Sequence, residues 1–136
     1  MTKCAYCNKS DVESRVSINT WDGLGRRDQD FYYCSDVCLR EIEDFSEYVN
    51  QNAKRFLVFV GVIVLSMVFS NGLPGNASLI VSIAGLILGI LLIKYPFATP
   101  LTNQWLGIKK AVLIVRGLGF GIALSEVAYI SYQFIL

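Results

Sequence analysis

The chain has 136 residues, and 54% of them are hydrophobic, against the roughly 45–50% that is usual for a soluble domain. Its 12 basic and 11 acidic residues give a net charge of +1, which excludes the strong positive field of a general nucleic-acid-binding protein. The lack of histidine removes the commonest general base near neutral pH and the commonest nitrogen ligand for metals. Charged residues crowd the first 55 positions, whereas residues 56–93 contain none. We therefore expect a small polar module joined to apolar helices.

The four cysteines form two close pairs near the start of the chain. Cys4 and Cys7 make a C-x2-C pair, and Cys34 and Cys38 make a C-x3-C pair. Two such pairs brought together give the tetrahedral four-thiolate site that zinc prefers, so we predict a zinc site with these four ligands. Iron in a four-sulfur site is the alternative metal. Disulfides or free thiols are the alternatives to a metal, and a cytoplasmic location disfavours disulfides.

A helix is predicted to begin at the second cysteine pair. Ser35 can cap its N-terminus, and Asp36 places a negative charge in the first turn, where the helix dipole favours it. Apolar residues follow at three- and four-residue spacing, as in an amphipathic helix: Leu39, Ile42, Phe45 and Val49. The other face carries an acidic strip, open to water or to a basic partner: Glu41, Glu43, Asp44 and Glu47.

Two short strands are predicted between the cysteine pairs, over residues 16–18 and 31–33, with turn-forming residues at 21–25. A cysteine turn, a hairpin and then a ligand-bearing helix follow in the order of a treble-clef zinc finger. The stretch YYCSDVCL at 32–39, together with the turn at 4–8, resembles the signature of TRASH/YHS-type treble clefs. This resemblance covers about the first 45 residues and implies a metal-binding or metal-sensing interaction module rather than a reaction.

The predicted fold is a small α+β, treble-clef-like zinc module at residues 1–53, followed by an all-α membrane domain at residues 54–136. Helices are expected at about residues 56–71 and 77–94, on either side of turn-forming residues 71–76. Together these two helices are long enough to cross a bilayer and return. We therefore predict a transmembrane hairpin in a multi-pass protein of the cell membrane. Basic residues flank one side of this hairpin, which places the N-terminal module in the cytoplasm: Lys54, Arg55, Lys94, Lys109, Lys110 and Arg116.

A third helix is predicted at about residues 111–135. Gly117, Gly121 and Ser125 recur every four residues and present a face of small side chains for close helix packing. Glu126 follows that face, and a carboxylate in a membrane helix usually meets a partner or a water-filled route. We predict that these four residues bind a partner helix, in this chain or another. The alternative is a helix that lies in the membrane interface with Arg116 and Glu126 in water.

The stretches YPFATP at 95–100 and LGIKK at 106–110 are similar to a segment of small archaeal membrane proteins with an N-terminal zinc ribbon. That resemblance implies a prokaryotic cell membrane and a role as an extra subunit of a large membrane complex. In a methanogen, one candidate host is the sodium-pumping methyltransferase that moves a methyl group to coenzyme M.

The function expected from these features is that of an accessory or regulatory subunit, whose cytoplasmic zinc module contacts a partner protein. Its partners would be integral membrane subunits and the lipid bilayer. The alternative is a free-standing, membrane-anchored metal or redox sensor. The sequence contains no nucleophile–base pair, phosphate-binding loop or cofactor motif, so we expect neither an enzyme nor a small-molecule substrate.

Overall fold

A computed structural model of the chain describes residues 2–23, 25–70, 77–97 and 100–135. The elements in chain order are β1 (Arg15–Trp21), β2 (Arg26–Tyr32), α1 (Asp36–Ser70), α2 (Ala77–Lys94), α3 (Pro100–Leu106) and α4 (Ile108–Ile135). They belong to two compact units. Unit 1 comprises Met1–Ala53 and Phe97–Ile114, and unit 2 comprises Lys54–Pro96 and Val115–Leu136.

The two strands of unit 1 form an antiparallel hairpin, in which Arg15 lies opposite Tyr32 and Trp21 lies opposite Arg26. The prediction of two strands between the cysteine pairs is confirmed, and both strands are longer than predicted. At the turn, the Gly25 amide donates to the Asp22 carboxylate over 3.0 Å. Gly23 has a φ of 104°, which a residue with a side chain rarely adopts. Leu24, part of the predicted turn, lies outside the described residues.

Helix α1 is continuous over 35 residues, so the predicted amphipathic and apolar segments form one helix. Its unit 1 part packs an inward face around Ile42, which is fully buried, and Val49, which is 9% exposed. Asn50 ties this helix to the hairpin because its side-chain nitrogen donates to the Asn19 backbone carbonyl over 2.7 Å. The hairpin and the first half of α1 thus pack together within unit 1.

Unit 2 contains apolar helices that keep much of their surface exposed. Helices α1 and α4 are each long and apolar enough to cross a membrane, and α2 is a shorter apolar helix. Val58 is 64% exposed and Leu124 is 68% exposed, whereas the core helix of a soluble protein buries such side chains. The predicted turn at residues 71–76 lies outside the described residues.

Close contact between α2 and α4 is possible because both helices carry glycine. A Cβ atom added at Gly89 would lie 2.8 Å from the Gly119 carbonyl oxygen and 2.8 Å from the Ala123 amide nitrogen. A Cβ added at Gly119 would lie 2.7 Å from the Gly89 carbonyl oxygen. The two backbones therefore touch, as in the packing of small residues between membrane helices.

Helix α3 lies in a stretch for which the sequence analysis gave no helix, and α4 begins at Ile108, ahead of the expected start at about residue 111. The ring of Phe97 packs against the ring of Tyr48, and their centroids lie 5.6 Å apart. The membrane domain expected from the sequence covers all of residues 54–136. In the structure, Phe97–Ile114 belongs to the same unit as the cysteine module.

Candidate metal centre

The structure brings all four cysteine sulfurs together, within 4.8 Å of one another. The Cys34 sulfur lies 3.5 Å from the Cys7 sulfur and 3.5 Å from the Cys38 sulfur. These separations are far beyond the roughly 2.05 Å of a disulfide bond, and the four cysteines are free thiols. They are near the sulfur–sulfur spacing of about 3.8 Å in a tetrahedral site with metal–sulfur distances of about 2.3 Å. The cluster could therefore hold a metal ion.

The second cysteine pair is positioned by the start of α1. The Ser35 hydroxyl accepts a hydrogen bond from the Cys38 amide over 3.3 Å, and the Leu39 amide donates to the Ser35 carbonyl over 3.0 Å. Ser35 is thus the N-cap, and Asp36 lies in the first turn, as predicted. Cys34 precedes the cap and Cys38 lies in the first turn of the helix, so both sulfurs reach the same point.

The first cysteine pair sits on a tight backbone turn that we call the knuckle, residues 4–8. The Asn8 amide donates to the Cys4 carbonyl over 2.9 Å, and the Cys4 amide donates to the Lys9 carbonyl over 2.8 Å. Asn8 closes the turn with a φ of 64°, a conformation that asparagine tolerates better than most residues. The Ala5 amide donates to the Tyr32 carbonyl over 2.8 Å, which fixes the knuckle to the end of β2.

One side of the cluster faces an apolar core and the other faces solvent. Cys4 is 1% exposed and Cys38 is 8% exposed, and both pack with Val12. The surrounding rings belong to Tyr6, Tyr32 and Tyr33. Cys7 and Cys34 are exposed. A bound ion would therefore act as part of a very small core, while two of its ligands stay within reach of solutes.

The thiols differ in how readily they ionise. Burial disfavours the Cys4 thiolate, but hydrogen bonds from the backbone at Cys7 and Tyr6 outweigh burial and lower the pKa of Cys4 to about 7. A hydrogen bond with the Cys7 side chain, followed by one with Cys38, raises the pKa of Cys34 to about 12. Burial raises the pKa of Cys38. Because a metal binds thiolates, an ion would have to displace the protons that Cys34 and Cys38 hold at neutral pH.

The donor set fits a closed, four-thiolate site. Four sulfurs fill a tetrahedral shell, which is typical of structural zinc and leaves no position for a substrate. Iron also accepts four thiolates, and the geometry is compatible with either metal. Cys4, Cys7, Cys34 and Cys38 are thus gathered at one point, as the sequence predicts of metal ligands.

The knuckle also contacts the start of α4, which the sequence analysis missed. The Ile108 amide donates to the Ala5 carbonyl over 2.8 Å, and the Lys109 amide donates to the Tyr6 carbonyl over 3.2 Å. The Asn8 side-chain nitrogen donates to the Trp105 carbonyl over 3.2 Å, at the end of α3. Backbone carbonyls accept these amide bonds whatever their side chains, so the residues Ala5 and Tyr6 themselves carry no signal for the contact.

The predicted partner-binding residues separate into two groups on α4. Gly117, Gly121 and Ser125 are exposed, and a Cβ added at either glycine would meet nothing within 4 Å. Glu126 is half-buried beside α2, where a Cβ added at Gly85 would lie 2.6 Å from a Glu126 carboxylate oxygen. Glu126 therefore meets a helix of this chain, whereas the other three residues face away from the α2 contact.

The acidic strip on α1 is exposed at all four of its positions. Glu41 accepts a hydrogen bond from the Tyr6 hydroxyl; burial of that phenol and this bond raise the pKa of Tyr6. The Glu47 carboxylate accepts a hydrogen bond from the Gln51 side-chain nitrogen over 3.0 Å. Glu41 thus joins α1 to the knuckle, beside the cysteine cluster.

Comparison of the chain with models of protein families, with curated proteins and with solved structures finds no match. The resemblances to TRASH/YHS treble clefs and to archaeal zinc-ribbon membrane proteins therefore stay predictions from short motifs. The cysteine cluster itself is shown by the positions of the four sulfurs in the structure.

Proposed function

We propose that the protein is a membrane-anchored accessory subunit, whose cysteine module binds zinc and contacts a partner protein in the cytoplasm. The observation that carries the proposal is the division of small residues on α4. Gly119 and Ala123 touch α2, while Gly117 and Gly121 lie on the nearly opposite side of the helix and are open. One face is used within this chain, and the other offers the same close approach to a second helix.

Two further observations support the membrane anchor. The apolar side chains of α1 and α4 are exposed to a degree that water would disfavour and hydrocarbon would not. Lys54, Arg55 and Lys94 lie at ends of apolar helical segments, which is where basic residues mark the cytoplasmic side. We infer three membrane helices, with the cysteine module on the cytoplasmic side.

The order of knuckle, hairpin and ligand-bearing helix supports a treble-clef-like zinc module. Zinc suits this donor set because it accepts four thiolates without a redox change. The acidic strip, exposed along α1, supplies a surface for a basic partner. The resemblance to archaeal membrane proteins offers the sodium-pumping methyltransferase as a candidate host complex.

The test is recovery of partners from native membranes in mild detergent. We expect the tagged full-length chain to co-purify with integral membrane subunits in fixed stoichiometry, identified by mass spectrometry. Gly121→Leu fills the open face of α4 and should reduce that recovery by about tenfold, since packing of small residues needs close backbones. Recovery of the chain alone, or only as a homo-oligomer, would contradict the proposal.

The matched control is Gly61→Leu. Gly61 also lies in an apolar helix and also has nothing within 4 Å of an added Cβ. The substitution therefore adds the same side chain at a second open position of the same membrane region. We expect it to leave partner recovery unchanged.

A redox or metal sensor is the second candidate, favoured by the exposure of Cys7 and Cys34, whose sulfurs lie 3.5 Å apart. A peroxide could take two electrons from these thiols and leave a disulfide and water, releasing any bound ion. The test is zinc release on peroxide treatment, followed by recovery of partners from the treated membranes. If the recovery of partner proteins is the same with and without peroxide and with and without a chelator, the sensor function is excluded.

A further inference from the structure

Helix α4 begins without the usual N-terminal cap. The Ala111 amide donates to the Gly107 carbonyl over 3.0 Å, so Gly107 holds the N-cap position. Glycine has no side-chain oxygen to accept from the first turn, and that turn contains no acidic residue. It contains Lys109 and Lys110 instead, whose positive charges oppose the helix dipole at this end. By its own sequence, this is a poor helix start.

The knuckle supplies the missing acceptors. Ala5 and Tyr6 are the two residues between Cys4 and Cys7, and their carbonyls accept from the Ile108 and Lys109 amides. These amides are two of the four N–H groups that a helix start leaves without an internal partner. A C-x2-C turn keeps its shape when both sulfurs are fixed on one ion, so the direction of these two carbonyls depends on the cysteine cluster.

Gly107 is adapted to this contact in two ways. Its φ of 76° lets it end α3, where its amide donates to the Asn103 carbonyl over 2.9 Å, and begin α4 at once. A Cβ added there would lie 2.7 Å from the Tyr6 carbonyl oxygen and 3.2 Å from the Asn8 amide nitrogen. Any other residue would therefore push the knuckle away from the start of α4.

We propose that the cysteine knuckle is a metal-dependent cap for α4, so that loss of the ion releases the first turn of this helix. The proposal deepens the proposed function and rests on zinc binding by the four cysteines. Within the zinc-bound protein, the Ala5 and Tyr6 carbonyls hold the Ile108 and Lys109 amides. Metal loss leaves these amides to water and frays the turn that carries Lys109 and Lys110.

The test is amide hydrogen exchange on the full-length chain in mild detergent, with zinc bound and after removal of zinc by a chelator. We expect exchange at Ile108 and Lys109 to be at least about tenfold faster without zinc, because a capped amide becomes an exposed one. The backbone amides of Gly85 and Gly89, where α2 contacts α4, serve as the internal control, and their exchange rates should not change.

A variant separates capping from general unfolding of the module. Gly107→Ala should still bind one zinc ion per chain but lose the zinc-dependent protection at Ile108 and Lys109. Because coupling is reciprocal, its zinc affinity should fall by about the same factor as the lost protection. Gly61→Ala, at an open position of α1, should keep both properties.

The two proposals fail differently. A purified wild-type chain that binds neither zinc nor iron would overturn the proposed function, and the cap with it. A chain that binds zinc but exchanges the Ile108 and Lys109 amides equally fast with and without it would overturn the cap alone. The wild-type comparison decides this outcome even where the Gly107→Ala variant does not fold.

Discussion

The two long helices of the chain begin in different ways. α1 begins with its own cap, because the Ser35 hydroxyl accepts from the Cys38 amide and Asp36 complements the helix dipole. α4 begins at a glycine and two lysines, and its acceptors come from the Ala5 and Tyr6 carbonyls at the opposite end of the chain. The difference shows that one helix start is encoded locally and the other by the fold of a distant turn.

Both helix starts nevertheless lie beside the same cluster of four cysteines. α1 carries Cys38 in its first turn, and α4 is capped by the two residues between Cys4 and Cys7. A module too small for a large core can order several elements at once by joining them at an ion. Predictions that separate the two helix starts therefore test how the module is held together.

The largest expected effect is that of removing a metal ligand, which should affect both helix starts. Cys38→Ser deletes one of the four thiolates. Mutation of a residue that only hydrogen-bonds to a metal ligand reduces metal affinity roughly 10–100-fold, and loss of a ligand itself should reduce zinc affinity by more. Structural zinc supplies an apparent binding free energy of about 10–16 kcal/mol in small domains, so the module should lose its cooperative unfolding transition. Metal analysis and thermal melting in mild detergent measure both effects.

Ser17→Ala, at an exposed position of β1, is the control and should keep full metal content. A wild-type protein whose melting does not respond to a chelator would contradict the prediction, since the cysteines would then contribute nothing as metal ligands.

Acid should have the next largest effect, through the protons on the cysteines. The pKa of Cys34 is raised to about 12 and that of Cys38 is also raised, so zinc must displace both protons at neutral pH. Each displaced proton changes the apparent affinity tenfold per pH unit, so the Cys34 and Cys38 protons alone should lower the affinity about 100-fold for each unit that the pH is lowered. Below the Cys4 pKa of about 7, the proton on Cys4 makes the fall steeper.

Competition with a chromophoric chelator, corrected for the chelator's own protonation, measures this dependence between about pH 6 and pH 8. An affinity that is constant over this range would mean that the thiols are already ionised in the metal-free protein, against the raised pKa values of Cys34 and Cys38.

Ser35→Ala should weaken α1 alone. The substitution removes the hydroxyl that accepts from the Cys38 amide, and loss of such a cap costs about 1 kcal/mol, within a range of about 0.5–2. Ser35→Thr keeps an acceptor and should recover most of that loss. Thermal melting measures the stability, and amide exchange at Ile108 should stay unchanged. Faster exchange there would show that the two helix starts are not independent.

The local cap of α1 could be read from the sequence because cap, charge and apolar spacing all lie within one stretch of chain. The four cysteines could be read for a similar reason, since paired spacing predicts a shared ligand point. The cap of α4 could not be read, because peptide carbonyls at Ala5 and Tyr6 look like those of any residue. Gly107 was the one available signal, as a glycine followed by Ile108 and then by two lysines.

The packing face of α4 shows a second limit of sequence analysis. The run Gly117, Gly119 and Gly121 places glycine on nearly opposite sides of one helix, so spacing alone offers two small faces. The sequence favoured Gly117, Gly121 and Ser125, whereas α2 packs against Gly119 and Ala123. Which face is used depends on where the partner helix lies, and that is a tertiary property.

Asn8→Gly tests the distant cap with a smaller change. Glycine adopts the φ of 64° without strain, so the main interaction that the substitution removes is the hydrogen bond from the Asn8 side chain to the Trp105 carbonyl. We expect a loss of about 0.5–1.5 kcal/mol in stability and unchanged zinc content. Asn8→Ala adds backbone strain and should cost more. Equal losses in the two variants would show that the conformation of Asn8 contributes little.

The smallest expected effect has the opposite sign. Lys109→Gln removes a positive charge from the first turn of α4, where the helix dipole disfavours it, and should stabilise the protein by about 0.3–1 kcal/mol at low salt. Lys94→Gln is the matched control, because Lys94 lies in the last turn of α2, where the dipole favours a positive charge, and packs over the Tyr95 ring. That variant should lose stability. Melting at low and high salt measures both, and salt should shrink the Lys109→Gln gain because exposed charges are screened. A loss of stability in Lys109→Gln would mean that Lys109 makes a favourable contact at the start of α4. The Ala5 and Tyr6 carbonyls would then not be the main support of that helix start.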